Sequence, residues 1–374
     1  LLPTYQQVGI LAPILLVVLR LAQGFGAGAE IAGSSVMLTE YAPRRRRGLV
    51  GSLVALGTNS GTLGASAIWG LLVATMSTQT VIEWGWRIPF IASSLIMLFA
   101  VWLRRNLKES PVFEGRADVV DGQAISREEL DKVAAHDSVL AKAMHERKGR
   151  AFFQGFFLRF GQAGNSGIVQ TYLISYIATV LLLAPSVGTG VVITSSLVGF
   201  LTVPIIGWLS DQVGRKLMYM IMSSIALVLA VPMIWMIASK NISSIFVGYI
   251  IIHQTSVLAL ASLENNTMSE LFGSRARLTQ LALAKELAAI VATGIGPVVA
   301  AALVLATGSW WPIAIMIGFF SICSLGAAIV MPETAGRDLT VLNDARKGEA
   351  IIGPFARRER AALGLPAPET IDAR

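Results

Sequence analysis

The stretch GWLSDQVGRK, residues 207–216, places one acid, two bases and two glycines between two long apolar runs. These runs, near 187–209 and 217–238, are each long enough to cross a bilayer as a helix. Because charge is costly inside a membrane, a stretch of this kind belongs in a tight loop at the membrane surface. It therefore predicts two consecutive membrane-spanning helices that meet at a charged turn.

The composition of the whole chain agrees with a polytopic membrane protein. Of its 374 residues, 54% are hydrophobic and 14% are charged, whereas about a quarter are charged in a typical soluble domain. The apolar residues form long blocks rather than amphipathic stripes. We therefore predict an all-α membrane protein with about nine spanning segments. These segments lie near residues 10–38, 50–76, 86–104, 152–183, 187–209, 217–238, 242–271, 279–306 and 309–331.

Lysine and arginine cluster in alternate loops, which sets the expected orientation. Nearly all of them lie at 44–47, 104–150, 215–216, 275–277 and beyond Pro332. Basic loops stay in the cytoplasm, so we expect an integral protein of the cytoplasmic membrane of a bacterium, with its C-terminus inside. The net charge of +7 then reflects topology and attraction to anionic lipid rather than binding to nucleic acid.

The residue types argue against several other functions. Cys323 is the single cysteine and lies inside a predicted span, which excludes a disulfide or a thiolate metal site. The chain has no HExxH or GxSxG motif and no cluster of His and Cys. We therefore predict no enzyme activity, no metal and no cofactor.

Two segments far apart in the chain are similar, TEYAPRRRRG at 39–48 and SELFGSRARL at 269–278. In both, an acid ends one span, a basic loop follows, and a glycine-bearing span returns. Parallel repeats of this kind are one way in which transporters are built. The matched pairs are Glu40 with Glu270, Arg45 with Arg275, Arg47 with Arg277, and Gly64 with Gly294.

The repeat also makes a prediction about the missing part of the pattern. The second half holds about six predicted spans and the first only about three, so the partner of GWLSDQVGRK would fall before residue 1. We expect a protein of about twelve spans represented here without its first three helices; a natural protein of nine spans is the alternative.

Taken in order, these motifs resemble the major facilitator superfamily, in its metabolite:proton symporter branch. GWLSDQVGRK is similar to the signature cytoplasmic loop of that family, although Gln212 stands where Lys or Arg is often seen. LRLAQGFGAGAE (19–30) resembles the fourth-helix motif. GWRIPF (85–90), KESPVFE (108–114) and PETAGRDL (332–339) resemble segments of the symporter branch, with some likeness to sugar porters. The resemblance covers almost the whole chain and implies two helical bundles.

On this basis we predict four regions. Residues 1–104 form a partial N-terminal bundle equivalent to family helices 4–6, and 151–331 form a six-helix C-terminal bundle. Residues 105–150 form a cytoplasmic central loop with an amphipathic helix, in which His136 and His145 are surface residues. Residues 332–374 form a cytoplasmic tail.

The charged turn has the residue types of a cytoplasmic gate. Asp211 can accept hydrogen bonds from the free N–H groups of a neighbouring helix N-terminus, and Arg215 can pair with Glu270. In the first half we expect Glu40 and Arg45 to form the equivalent pair. The alternative is a basic loop that only fixes topology. The predicted gate residues are Gly207, Asp211, Gly214, Arg215, Glu270, Glu40 and Arg45.

Polar and ionisable residues at membrane depth are candidates for the central site. Arg20, Gln23, Asn165, Tyr172 and Asn265 are the predicted substrate ligands, and Glu30, Glu264 and Glu286 the predicted proton-coupling acids. Alternatives remain for several of them. Arg20 can instead cap a helix end, Arg159 can snorkel to the interface, and Glu264 can neutralise Lys285. His253 and Asn59 are expected to serve packing.

These observations predict a secondary active transporter that works by alternating access. The resemblance implies proton symport of a small polar metabolite, with a carboxylate favoured over a zwitterionic osmolyte or a sugar. The expected partners are this solute, protons and the lipid bilayer, and the expected state is a monomer. The competing hypothesis is a truncated membrane protein that does not transport.

Overall fold

The structure, a computed structural model, describes residues 3, 5–106, 119–120, 123–124, 148–274 and 276–366. The amphipathic helix predicted within 105–150, with His136 and His145, lies outside the described residues, as do KESPVFE and Arg275. The described part is almost entirely helical, so the all-α prediction is confirmed. A two-residue antiparallel pair, Val119–Val120 with Gln123–Ala124, is the strand structure in this part of the chain.

The first half of the molecule (residues 5–106) holds five α-helices. They are α1 (Tyr5–Val8), α2 (Leu11–Tyr41), α3 (Arg47–Thr75), α4 (Thr78–Glu83) and α5 (Ile88–Asn106). Ser77 caps α4, because its side chain accepts a hydrogen bond from the Thr80 backbone N–H.

The second half (residues 148–330) holds nine α-helices, several of which continue one another. They are α6 (Lys148–Ser166), α7 (Leu173–Thr179), α8 (Pro185–Val213), α9 (Arg215–Ala238), α10 (Ile242–Ile252), α11 (Ala259–Leu271), α12 (Arg277–Ala289), α13 (Gly296–Thr307) and α14 (Trp311–Val330). Gly214 separates α8 from α9 with φ of 96°, a conformation that favours glycine. The charged turn seen in the sequence is therefore a one-residue break.

Three long helices of the second half contain π-helical segments of six residues each. Gly167–Tyr172 joins α6 to α7, His253–Leu258 joins α10 to α11, and Ile290–Ile295 joins α12 to α13. A π turn accommodates an extra residue, so it rotates the side chains that follow relative to a regular α-helix. Such segments occur often at functional sites.

Six described helical segments are long and apolar enough to cross a membrane. They are Gly85–Leu103, Pro185–Val213, Arg215–Ala238, Ile242–Leu271, Arg277–Thr307 and Trp311–Val330. The long helices α2 and α3 and the combined α6–α7 accompany them. Spanning helices are thus present, and the count of nine stays a prediction.

The two halves meet along α3, which packs against α8 and α11, while α2 packs against α11 and α12. Glycines allow the backbones to come very close. A β carbon on Gly48 of α3 would collide with the carbonyl oxygen of Gly207 on α8 and with the Arg215 side chain. The residues after Pro332 fold back beneath the helix ends, where Ala335, Leu339 and Ala350 are buried and α15 (Pro354–Ala362) follows.

Replacing Gly48 with alanine is expected to disturb this contact. Overpacking typically costs about 1–3 kcal/mol, so Gly48→Ala should lower the midpoint of thermal unfolding of the purified protein. Gly57→Ala is the matched control, since a β carbon at Gly57 on the same helix meets nothing within 4 Å. Equal midpoints for Gly48→Ala and the wild type would show that the helices do not require this close approach.

Candidate functional site

A cavity of about 130 Å³ lies between the two halves and is lined by both. Its wall from the first half includes Thr58, Asn59 and Thr62 of α3. The wall from the second half is more polar and carries charge. Its polar residues are Arg159, Gln162, Ser166, Gln170, Glu264, Asn265 and Lys285. A site of this kind, at the interface of two helical bundles, is where transporters of this architecture bind solutes.

Three of these side chains, Arg159, Glu264 and Lys285, form an ion cluster that we call the cavity triad. Nη1 of Arg159 lies 3.1 Å from Oε2 of Glu264, and Nζ of Lys285 lies 2.9 Å from Oε1 of the same carboxylate. The contact between Glu264 and Lys285 that the sequence offered as an alternative is therefore present. The formal charge of the triad is positive, because two cations share one acid.

The triad is held in place by amides and is unevenly exposed. Arg159 also donates to Oε1 of Gln162 at 2.6 Å, and Lys285 donates to Oδ1 of Asn265 at 2.7 Å. The side chain of Arg159 is 22% exposed, against 2% for Glu264 and 4% for Lys285. Arg159 is thus the most exposed member of the triad, and its guanidinium turns inward to Glu264 rather than outward to the interface.

The predicted substrate ligands are only partly brought together. Asn265 lines the cavity. Asn165 is fully buried and donates to Oγ of Ser321 at 3.2 Å, while Tyr172 lies in the hydrophobic core. Neither Asn165 nor Tyr172 lines this cavity in the described conformation. Asn165 is one residue, and so about 100° around the helix, from the lining residue Ser166. Gln23 is exposed outside this cavity.

The remaining candidates fall in different places. Arg20 lies in α2, but its side chain is outside the described residues. Glu264 is in the triad, whereas Glu30 is exposed on α2 and the Glu286 carboxylate lies beside Gly28. Neither Glu30 nor Glu286 lines the cavity among the described residues.

Three of the cavity residues missing from the predicted set share one helical stripe. Gln162, Ser166 and Gln170 follow one another at intervals of four on α6 and its π extension, and a polar stripe with this spacing is the signal that identifies a lined face. Gln170 also bonds His253, with 2.9 Å between the amide nitrogen and Nε2. His253 is buried and contacts Oγ of Ser195 through Nδ1 at 2.7 Å, as expected of a packing residue.

At the cytoplasmic end predicted for the charged turn, Asp211 joins the two halves. Its carboxylate accepts the backbone N–H groups of Gly48 and Leu49 at 2.7 and 2.9 Å, in the first turn of α3. It also accepts from Nη2 of Arg215 at 2.9 Å, and Nε of Arg215 donates to Glu270 at 3.1 Å. Both contacts predicted for this turn, to a helix N-terminus and to Glu270, are present.

The expected pair of Glu40 and Arg45 is wrong. Arg45 is exposed, and Glu40 instead contacts Nη1 of Arg277 at 2.6 Å, in the other half. In return, Nη1 of Arg47 lies 3.9 Å from Oε1 of Glu270. Residues that match in the repeat therefore exchange partners across the interface. This reciprocity is what a two-fold relation between the halves requires.

The C-terminal segment after Pro332 completes this cluster. Glu333 accepts the backbone N–H groups of Arg215, Thr334 and Ala335 at 2.8, 2.9 and 3.1 Å. Arg337 donates to the carbonyl oxygen of Glu270 at 2.9 Å. Burial raises the pKa of the Glu333 carboxyl to about 7, although these N–H groups oppose the shift.

The sequence profile of the Major Facilitator Superfamily matches residues 6–289. The chain belongs to this superfamily. It is 46% identical over 362 residues to the putative transporter YdfJ of Escherichia coli strain K12, covering 96% of this chain and 82% of that protein. It is therefore an integral membrane transporter, and the predicted major-facilitator fold is confirmed.

Other relatives are also transporters and not enzymes. The chain is 30% identical to the proline/betaine transporter of Salmonella typhimurium, covering 94% of this chain and 70% of that one. It is 26% identical to the shikimate transporter of E. coli strain K12, covering 89% of this chain and 74% of that one. A solved structure of the proton:xylose symporter XylE, bound to 6-bromo-6-deoxy-D-glucose, shares the fold with a TM-score of 0.62 at 15% identity, covering 82% of this chain and 69% of that one.

The raised pKa of Glu333 predicts a pH dependence of stability. A carboxyl whose pKa rises from 4.5 to about 7 on folding binds its proton more tightly in the folded state. Its contribution to stability is therefore present below pH 4.5 and is lost as the pH rises to about 7. The loss amounts to up to about 3 kcal/mol.

Thermal unfolding between pH 5 and pH 8 measures this contribution. Glu333→Gln should remove part of the fall in the unfolding midpoint, whereas Glu83→Gln, at an exposed acid outside this cluster, should not. The same pH slope in Glu333→Gln and the wild type would contradict the assignment.

Proposed function

We propose that this transporter carries a small metabolite with a carboxylate group, coupled to protons, by alternating access of its two halves around the cavity. The observation that carries the proposal is the cavity triad, two cations and one acid in a pocket that both halves line. Ionisable residues at membrane depth are costly and usually mark a substrate or proton path.

The contacts at the cytoplasmic end support the alternating-access part. The halves are joined there by Asp211 with the α3 N-terminus, by Glu40 with Arg277, and by Nη2 of Arg44 with Asp338 at 2.5 Å. All of these are polar contacts that water can replace when the halves separate. A bias of a few kcal/mol in such contacts is enough to shift a two-state equilibrium.

The positive charge of the triad favours an anion as substrate. Proline, betaine and shikimate, the solutes in the names of related transporters, all carry a carboxylate. A quaternary ammonium is usually held by aromatic faces, and the described cavity lining has none. A simple carboxylate therefore fits the described lining better than a betaine does. A neutral sugar would leave the net positive charge of the triad without a counter-ion.

A solute panel tests the proposed substrate class. Purified protein is heated with carboxylates such as shikimate, with glycine betaine and with polyols, and hits are checked by counterflow in proteoliposomes. Carboxylates are expected to raise the unfolding midpoint and to support counterflow, because they bind the folded state. Counterflow with polyols or betaine but no carboxylate would contradict the substrate class, and none at all would contradict transport by this chain.

Asp211→Asn tests the gate. The amide keeps an oxygen for one N–H group but loses the charge that binds the α3 N-terminus and Arg215, so the cytoplasmic-closed state is less favoured. Uptake should slow several-fold while the affinity for the solute changes little. Gln212→Asn is the matched control at the exposed neighbouring position. Normal uptake by Asp211→Asn would refute the gate role.

A further inference from the structure

We infer that the cavity triad binds the substrate carboxylate and the coupling proton at one place, with the carboxylate replacing Glu264 as the partner of Arg159 and Lys285 once Glu264 is protonated. This inference rests on the proposed transport of a carboxylate and specifies how the site performs it.

The two carboxylate oxygens of Glu264 contact different cations. Oε2 faces Arg159 at 3.1 Å and Oε1 faces Lys285 at 2.9 Å. Protonation of Glu264 removes the negative charge from both contacts at once. Two buried cations are then left without a counter-ion, which is costly in a low-dielectric interior. A carboxylate from the cavity restores the balance.

The charges of the empty and loaded sites show why the two ligands bind together. The empty triad carries a net charge of about +1, protonation raises it to about +2, and one monocarboxylate returns it to about +1. The anion without the proton would set a second carboxylate against Glu264. Each ligand therefore raises the affinity for the other, and this reciprocity is required by thermodynamic linkage.

The surroundings of Glu264 contain few other charges. Besides Arg159 from α6 and Lys285 from α12, Tyr219 from α9 lies near enough to interact electrostatically, and its buried hydroxyl has no hydrogen-bond partner among the described residues. The acid Glu286 interacts with Lys285, but its carboxylate lies beside Gly28. Glu264 is thus the acid that bridges the two cations.

Arg159 is the triad member that an incoming solute can reach first. Its side chain is the exposed member of the triad, and its Nε is buried without a hydrogen-bond partner among the described residues. An arginine fork matches the geometry of a carboxylate in a bidentate contact. An incoming carboxylate can therefore reach Arg159 before Glu264 releases Lys285.

The equal charge of the empty and loaded sites has a measurable consequence. A monocarboxylate and a proton that move together transfer no net charge across the membrane. Uptake should therefore respond to a pH gradient and not to a membrane potential imposed without one.

The experiment uses the full chain in proteoliposomes with radiolabelled shikimate as the probe. Wild-type protein should accumulate shikimate when the outside is acidic, and its affinity should weaken as the pH rises. Glu264→Gln should lose gradient-driven accumulation by at least tenfold and bind shikimate with an affinity that no longer depends on pH. Arg159→Gln should lose binding at every pH. Glu83→Gln is the control.

The outcomes separate this inference from the proposed function. Absence of wild-type counterflow with shikimate and every other carboxylate in the panel would overturn both. Wild-type transport together with normal gradient-driven accumulation by Glu264→Gln would overturn the inference alone, as would accumulation driven by membrane potential. If Glu264→Gln does not fold, the wild-type protein decides: thermal protection by shikimate that does not strengthen as the pH falls would contradict the shared site.

Discussion

The rest of this structure depends on one constraint: charges buried in the fold must be paired. At the break between α8 and α9, Asp211 is paired with the N-terminus of α3 and with Arg215, and Glu270 with Arg215 and Arg47. An unpaired buried charge is far more costly than a paired one, so each of these charges requires a partner. Two of these contacts, Asp211 with the α3 N-terminus and Glu270 with Arg47, join the two halves, so separation of the halves requires water to replace those partners.

Sequence analysis predicted part of this set: the contact of Asp211 with a helix N-terminus and the pairing of Arg215 with Glu270. It did not predict that Asp211 also pairs with Arg215, one helical turn away. The break at Gly214 is visible in the sequence as a residue type. The error with Arg45 has a physical reason: matching Glu40 to Glu270 and Arg47 to Arg277 identifies equivalent positions, but a repeat does not say whether partners are kept within one half or exchanged. The exchange follows from how the halves dock.

The central site was harder to predict, because the depth of a residue in the membrane does not tell whether its side chain faces the cavity. Glu264 and Asn265 were identified, and the contact of Glu264 with Lys285 was one of the alternatives. Asn165 and Tyr172 were chosen as polar residues of one helix, but neither lies on the face of that helix that lines the cavity. Arg159 was ambiguous, because a long cationic side chain can turn to the interface or to a buried acid.

One helix connects the two charged regions. Glu264 of the cavity triad and Glu270, which pairs with Arg215, both lie on α11, about 9 Å apart along its axis. A change in the partners of Glu264 therefore acts on the helix that also holds Glu270. The two regions differ in what can replace a lost partner. Water can do so at the membrane surface, whereas in a closed cavity the proposed replacement is the carboxylate of the substrate. On this proposal, the difference couples the movement of the halves to binding.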